Sequence, residues 1–254
     1  MMKKYLLLTL SLLALNSWAK PLVVATDGGY PPFSQIADNG ELTGFDIEIS
    51  KALCKEMNKE CEVRQLDWEA LIPALQNEQI DAIIASMNAT EERKQSIDFT
   101  DKYYSNPGIF VRKKGSNIEI SQEGLKGKTI GVLSATVFDY YASDKFKDWG
   151  VKIDRYSNQE DAILDAQKGV VDVLFADEFV LDNGFLQKEN GANFEQFGDK
   201  IDDPKYFGSG ISIGIRKEDQ KLKEEFNQAI KGIREKNIYQ EISNKYFSKD
   251  IYGE

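Results

Sequence analysis

The segment ASMNATEERKQ, residues 85–95, places an arginine where a helix start disfavours it. The apolar run before this segment predicts the end of a buried strand, and Thr90 is suited to cap the helix that follows. Arg93 then lies in the first turn of the helix, near the positive end of its dipole. A bound anion would explain this residue, because the arginine fork and the free N–H groups of a helix start both favour a carboxylate. An ion pair of Arg93 with Glu92 or Asp98 is the alternative interpretation.

Two carboxylates and two aromatic residues follow other predicted strands and turns. Asp177 ends a strand and could bind an ammonium group, or it could cap the helix that follows. Asp27 precedes two glycines and could bind a cation, or it could only stabilise an Asx turn. Tyr30 and Trp68 could stack on an aliphatic stem or a guanidinium, although each taken alone is more typical of a core. Together these residue types are complementary to an amino acid.

Histidine is absent from all 254 residues of the sequence. Its absence removes the commonest general base, the commonest metal ligand and every Ser-His or Cys-His nucleophile. The sequence also lacks a P-loop, a dinucleotide-binding glycine pattern and EF-hand spacing. We therefore predict neither a metal nor a cofactor, and any enzymatic chemistry would need carboxylates, lysine or tyrosine.

Residues 1–19 have the three regions of a cleavable secretory signal. A basic MMKK precedes the apolar YLLLTLSLLAL, and NSWA ends in small residues suited to cleavage after Ala19. We expect a mature, soluble protein exported to the periplasm. Loss of Lys3 and Lys4 changes the balance of 32 basic and 42 acidic residues to 30 against 42, so the net charge moves from −10 to −12. Such an acidic surface argues against nucleic acid and anionic membranes as partners.

Cys54 and Cys61 are the two cysteines of the sequence. Export to an oxidising compartment favours a disulfide between them, and a pair of reactive thiols is the alternative. The bond would join the end of a predicted helix to the next strand.

Strand and helix patterns alternate in two series, which predicts helices that cover mainly parallel sheets. The first series has strands at 21–26, 61–66 and 80–86 and helices at 45–58 and 68–78. The second series has strands at 128–134, 151–156 and 170–177 and helices at 135–146 and 158–169. The stretch Leu75–Ser86 matches Ala166–Asp177, with Asp81 aligned to Asp172, so we predict two related α/β lobes.

Strand-like connections at 100–115 and 205–219 would carry the chain from one lobe to the other and back. The tail at 221–247 would then return to the first lobe as two helices, whose core residues would be Leu222, Phe226, Ile230 and Ile233. Ligands collect at the carboxyl ends of parallel strands, so the loops that carry the candidate residues should meet in one cleft between the lobes.

These segments, in this order, resemble the periplasmic solute-binding proteins that supply amino-acid ABC transporters. The likeness is carried by TDGGYPPFS, GELTGFDIEISKALCKEM, LIPALQNEQIDAIIASMNATEERKQSIDFTDKYY, LKGKTIGVLSAT and PKYFGSGISIGIRKED. It covers essentially the whole mature chain and is nearest to lysine/arginine/ornithine-binding and arginine-binding proteins, including their paired cysteines. The resemblance implies a two-lobe α/β fold of periplasmic-binding-protein type II. Two hinge strands would join lobe 1, at 20–106 and 210–254, to lobe 2, at 107–209.

The resemblance also implies a set of ligand-binding residues. The set is Asp27, Tyr30, Trp68, Ala85, Ser86, Asn88, Arg93, Thr136, Val137, Phe138 and Asp177. Arg93 would bind the α-carboxylate of an amino acid, with backbone support from Asn88 and Thr136. Asp177 would bind the α-ammonium group, with the carbonyl of Ala85 and with Ser86 nearby.

The side chain of the ligand would lie between Tyr30 and Trp68, and Asp27 would contact its distal cationic group. Asp46, at the start of the first long helix, would have a structural role. Where members of the family commonly carry Gly-Thr-Thr or Gly-Ser-Thr followed by a polar residue, this chain has ATVF at 135–138. Val137 offers a backbone N–H but no hydroxyl, and Phe138 replaces a polar residue that can touch the ligand side chain.

The implied function is that of a monomeric receptor that delivers a basic L-amino acid, arginine before lysine or ornithine, to an ABC transporter permease. Two alternatives stay open. A neutral polar amino acid such as glutamine could be the ligand, because glutamine-binding relatives can also carry an aspartate at the position of Asp27. A dehydratase-like enzyme on the same fold could use Asp177 or Glu178 as an acid.

Overall fold

A computed structural model of the protein describes residues 20–253, so the predicted signal segment at 1–19 lies outside the described residues. The strands are β1 Leu22–Thr26, β2 Gly29–Tyr30, β3 Ser34–Ile36, β4 Leu42–Thr43, β5 Cys61–Gln65, β6 Ala82–Ile83, β7 Asp98–Tyr104, β8 Gly108–Lys113, β9 Thr129–Leu133, β10 Lys152–Tyr156, β11 Val173–Asp177, β12 Phe194–Ile201 and β13 Ile211–Ile215. The α-helices are α1 Phe45–Glu56, α2 Leu71–Gln76, α3 Glu91–Lys94, α4 Gln122–Leu125, α5 Val137–Lys145, α6 Gln159–Lys168, α7 Glu178–Leu181, α8 Pro204–Phe207, α9 Gln220–Glu235 and α10 Ile238–Tyr246. Short helical turns of other types are Trp68–Ala70 and Glu189–Gly191, both 3₁₀, and Asp182–Leu186, a π-helix.

The first sheet has five strands in the order β5-β1-β6-β13-β7. Strand β1 runs parallel to β5 and β6, whereas β13 runs antiparallel to β6 and β7. The apolar run Val23–Ala25 in β1 is buried, as expected for a central strand of a sheet that is covered on both faces. This sheet therefore combines a parallel half, which the sequence predicts, with strands that return antiparallel.

The second sheet repeats this pattern in the order β10-β9-β11-β8-β12. Strand β9 runs parallel to β10 and β11, and β8 runs antiparallel to β11 and β12. In each sheet the fourth strand arrives from the other sheet: it is β13 in the first and β8 in the second. The two crossing segments lie at 105–107 and 208–210, between β7 and β8 and between α8 and β13. The boundaries of the two lobes drawn from the sequence fall within these segments and stay a prediction.

The core of the first lobe lies between its sheet and helices α1, α9 and α10. Phe226, Ile230 and Ile233 are buried there as predicted, and Leu222 packs against the edge of the same core. A disulfide joins Cys54 of α1 to Cys61 of β5, which confirms the predicted pairing. No helix within residues 20–253 is both long and apolar enough to cross a membrane.

The internal repeat in the sequence corresponds to a repeated contact in the structure. Asp81 accepts a hydrogen bond from the backbone N–H of Val23 at 2.9 Å, before β6 begins. The aligned Asp172 accepts one from the backbone N–H of Thr129 at 2.9 Å, before β11 begins. In both lobes a carboxylate thus ties the start of a strand to its parallel neighbour, β6 to β1 and β11 to β9. The loops that follow β6 and β11 are held in equivalent places.

Some elements differ from the sequence prediction. Strand β6 pairs over only two residues, because the chain leaves the sheet and turns at Ser86, whose φ is 54°. The small sheet β2-β3-β4 was not predicted, since strands of two or three residues show no periodicity. Strand β12, at the edge of the second sheet, was also missed.

Candidate functional site

A cavity lies between the two sheets, at the ends of β1, β6 and β9. Its walls are formed by Asp27, Tyr30, Trp68, Ala85, Ser86, Asn88, Arg93, Leu133, Thr136, Val137 and Phe138. The structure therefore brings ten of the eleven sequence-predicted site residues to one cavity. The eleventh, Asp177, is not part of this wall. Leu133 was missed, although it is the last residue of β9 and the strand-end rule could have found it.

Arg93 lies in the wall with its guanidinium almost fully buried. The side chain of Thr90 caps α3 by accepting a hydrogen bond from the Arg93 backbone N–H at 3.2 Å, as predicted. Helix α3 has only four residues, so the guanidinium itself is the main positive charge of the site. Its Nη1 donates to the carbonyl of Asn88 at 3.1 Å, and Arg93 as a whole is 9% exposed. Burial lowers the pKa of Arg93 to about 10, which leaves the group cationic at neutral pH.

The ion pairs considered for Arg93 are not formed. Asp98 instead binds Lys223, with 2.9 Å between carboxylate and ammonium. In the part of the chain that the structure describes, no carboxylate lies within ion-pair distance of Arg93. The two carbonyls that accept from it engage two of its five N–H donors, so the guanidinium retains donors for an anion.

Trp68 and Arg93 both reach across to the second lobe at one carbonyl. The indole Nε1 of Trp68 donates to the carbonyl of Ala135 at 3.2 Å, and Nη2 of Arg93 donates to the same oxygen at 3.3 Å. The Arg93 guanidinium also lies 5.2 Å from the centre of the Trp68 ring, within the range of a cation–π contact. Beside them, the hydroxyl of Ser134 donates to Glu69 at 2.9 Å. Residues 68–69 and 134–135 thus form a direct contact between the lobes.

Asp27 lies in the turn between β1 and β2. The hydroxyl of Ser34 donates to its Oδ1 at 2.6 Å, and the same hydroxyl accepts the backbone N–H of Gly28 at 3.3 Å. Gly28 has a φ of 75°, and a Cβ there would lie 2.9 Å from the side chain of Gln65, so the turn favours glycine. Burial raises the pKa of Asp27, while the Ser34 hydroxyl and backbone N–H groups act in the opposite direction.

Asp177 ends β11 and caps α7, where its Oδ1 accepts the backbone N–H of Val180 at 3.0 Å. The capping interpretation of this residue is therefore correct. A role in ammonium binding stays a prediction. Asp177 is only 2% exposed, and burial raises its pKa well above the usual range of a carboxyl group. Burial raises the pKa of Tyr30 well above its usual range, and Asp177 and Asp27 act in the same direction.

Beneath the cavity, Asp46 joins three elements of the first lobe. It is fully buried at the start of α1 and accepts hydrogen bonds from the hydroxyls of Ser86 at 3.0 Å and Tyr103 at 2.9 Å. Burial raises its pKa to about 7. Asp46 thus fixes the loop after β6 against α1 and β7, as its predicted structural role requires.

The second-lobe wall is formed by the loop after β9 and the start of α5. Thr136 caps α5, and its hydroxyl donates to the carbonyl of Leu133 at 2.6 Å. Phe138 packs edge-on against Phe175 and Phe207, with ring centres 5.3 and 5.6 Å away. The ATVF segment therefore presents an apolar wall that is anchored in the core of its own lobe. Within residues 20–253 no three metal-ligating side chains form a cluster.

The two α/β lobes share one charged cavity, and the chain reaches the fourth strand of each sheet from the other lobe. This arrangement defines a two-lobe binding protein of periplasmic-binding-protein type II. The chain belongs to the bacterial extracellular solute-binding proteins, family 3, which match residues 22–249.

The relatives with known roles are similar over almost their whole length. The L-arginine-binding protein of Pseudomonas aeruginosa is 42% identical over 99% of this chain and 99% of its own. The histidine-binding periplasmic protein of Escherichia coli is 38% identical over 91% of this chain and 88% of its own. Among solved structures, an ancestral arginine-binding protein bound to arginine superposes with a TM-score of 0.82 and 33% identity, over 90% of this chain and 98% of its own.

Proposed function

We propose that the protein is the extracytoplasmic receptor of an amino-acid ABC transporter, and that its cavity binds a basic L-amino acid, arginine before lysine or ornithine. The buried guanidinium of Arg93 carries this proposal, because it lines the same cavity as Asp27 and pairs with no carboxylate among residues 20–253. A ligand with a carboxylate at one end and a cation at the other would satisfy both groups. The names of the arginine-binding and histidine-binding relatives support this class of ligand.

In the proposed complex Arg93 binds the α-carboxylate, assisted by backbone groups of Asn88 and Thr136. Asp177 uses the oxygen that is not engaged in the α7 cap for the α-ammonium group. The aliphatic stem lies between Tyr30 and Trp68, and Asp27 binds the distal cation. Val137 and Phe138 form an apolar wall beside the stem.

These contacts would couple binding to closure. Arg93 and Asp27 belong to the segments of the first sheet, and Asp177 and Thr136 to those of the second, so one amino acid bridges both. A ligand drives closure only by binding the closed state better than the open one, and contacts from both lobes supply that difference. The closed form is the one presented to the permease.

Calorimetric titration of ligand-stripped mature protein tests the proposal. We expect tight one-to-one binding of arginine, weaker binding of lysine and ornithine, and much weaker binding of glutamine, with histidine as a further comparison. A preference for glutamine would contradict the basic-ligand assignment. The absence of binding to all five would contradict the receptor function itself.

We further infer that the ligand is released unchanged and that the protein acts in the periplasm as a monomer. Mass spectrometry after prolonged incubation with each amino acid should detect no product, and a product would support the dehydratase-like alternative. Osmotic-shock fractionation should release the protein, with Lys20 as its first residue.

A further inference from the structure

Ser34 holds the carboxylate of Asp27 from inside the protein. It is 1% exposed and begins β3, directly opposite Tyr30 in the β2-β3 pairing. Its hydroxyl donates to Oδ1 of Asp27 at 2.6 Å and accepts from the N–H of Gly28 at 3.3 Å. A single buried hydroxyl therefore fixes both the turn and the direction in which the carboxylate points.

This contact also acts on the charge of Asp27. It is surrounded by Tyr30 on β2, Asp46 on α1, and Asp67 and Glu69 beside Trp68, and Arg93 lines the same cavity. Arg93 is a cation but forms no ion pair with Asp27, and the other four groups do not favour an ionised Asp27. Burial raises the pKa of Asp27, and the hydrogen bond from Ser34 is the largest influence that lowers it. Hydrogen bonds donated to a carboxylate stabilise its charged form.

We propose that Ser34 is a positioning residue for side-chain selectivity: its hydroxyl holds the carboxylate of Asp27 so that the second oxygen is aimed at the distal cation of the ligand. The inference rests on the proposed function and identifies a residue that determines selectivity without touching the ligand. Held through Oδ1, the carboxylate offers Oδ2 to the ligand in a fixed direction. A basic side chain gains from this arrangement, and a neutral side chain of the same length gains little.

Arginine and citrulline form the matched ligand pair for the test, because citrulline replaces the guanidinium by a neutral urea of similar shape. We expect Ser34→Ala to weaken arginine binding about tenfold to a hundredfold, as for the loss of a hydrogen bond to a charged group. Citrulline binding should change less than about twofold, the size of a minor packing effect. As the pH is lowered, arginine affinity should begin to fall at a higher pH in the variant than in the natural protein, because Asp27 then accepts a proton more readily.

A double-mutant cycle with Asp27→Asn separates this role from a general structural one. If Ser34 acts through Asp27, Ser34→Ala should cost little more once Asp27 is already Asn. Ser50→Ala is the control, since Ser50 is also 1% exposed and its hydroxyl donates to the backbone carbonyl of Asp46. That variant should keep the selectivity of the natural protein.

Two results would overturn the inference: equal losses for arginine and citrulline in Ser34→Ala, or an undiminished loss in the Asp27→Asn background. Failure of the proposed function would be visible earlier. The unaltered protein would then show no preference for arginine over citrulline, before any variant is made.

Discussion

At the scale of single residues, the surroundings of Arg93 explain why a cation is found at a helix start that disfavours it. Its guanidinium is buried, its donors are partly engaged by the carbonyls of Asn88 and Ala135, and the rest have no acidic partner among residues 20–253. A buried charge without a counter-ion is costly unless another group compensates for it. The α-carboxylate of the proposed ligand is that group.

Arg93→Ala should therefore abolish measurable binding of arginine. Loss of one partner from a desolvated ion pair costs about 3–5 kcal/mol, which corresponds to more than a hundredfold in affinity. Calorimetry measures this loss, and Lys94→Ala is the matched control because Lys94 extends to an exposed ion pair with Glu91. Near-normal affinity in Arg93→Ala would refute the assignment.

The substitution Asp177→Asn separates the capping role of Asp177 from its proposed role in ammonium binding. Asparagine caps a helix as well as aspartate does, so α7 should keep its cap. The ligand-stripped variant should be at least as stable as the natural protein at pH 8 in urea denaturation, because burial disfavours the charged carboxylate. Arginine affinity should nevertheless fall at least about tenfold. Unchanged affinity would mean that Asp177 serves only as a cap.

At the scale of elements, the turn at 68–69 and the loop at 134–135 hold the cleft closed by their own contacts. Trp68 and Arg93 share the carbonyl of Ala135, and Ser134 bonds Glu69. Ala135 has a φ of 55°, unusual for a residue other than glycine, and this conformation directs its carbonyl towards the first lobe. Such contacts exist only while the lobes are together, so they should slow opening.

Trp68→Phe keeps an aromatic face but removes the indole N–H, and we expect ligand release to accelerate about twofold to tenfold. Stopped-flow displacement of bound arginine measures this rate. Ser134→Ala removes the neighbouring bond without changing the cavity wall, so a smaller acceleration there would support the same cause. If only association were slowed in Trp68→Phe, the contact would not restrain opening.

The sequence predicted those elements and site loops that have a local signal. Buried runs such as Val23–Ala25 and the helical spacing of Phe226, Ile230 and Ile233 can be recognised without knowing the fold. The contact of Ser34 with Asp27 and that of Asp46 with Tyr103 could not, because they join residues that only the tertiary structure brings together. Leu133 could have been predicted, because ligands bind at the ends of parallel strands. The left-handed conformation of Ala135 could not, because alanine is not typical of such a turn.

At the scale of the whole molecule, buried Asp46 makes the stability of the ligand-stripped protein depend on pH. Its pKa is about 7 in the folded state and 3.8 as the ordinary reference. Between these values the folded state binds more protons than the unfolded state, so the free energy of unfolding should fall as pH rises from about 4 to about 7. Asp46→Asn should remove that part of the decline.

Urea denaturation across this pH range measures the effect, and Asp148→Asn, at an exposed position, controls for the loss of one charge. Asp46→Asn and the natural protein should differ most in the slope of the free energy of unfolding against pH. Parallel curves for Asp46→Asn and the natural protein would show that Asp46 does not take up the proton.

The position of β13 determines the order in which the molecule can be assembled as it is made. All five strands of the second sheet lie between residues 108 and 201, whereas β7 joins the first sheet only through β13. A chain that emerges with its N-terminus first can finish the second sheet while the first still lacks that link. The proposed ligand residues all precede residue 178, yet the loop after β6 is held by residues 210–212: the N–H of Ala89 donates to the carbonyl of Gly210, and the N–H of Ser212 donates to that of Met87. We therefore expect the loop that carries Asn88 to reach its final place only after residue 212 has been made and exported.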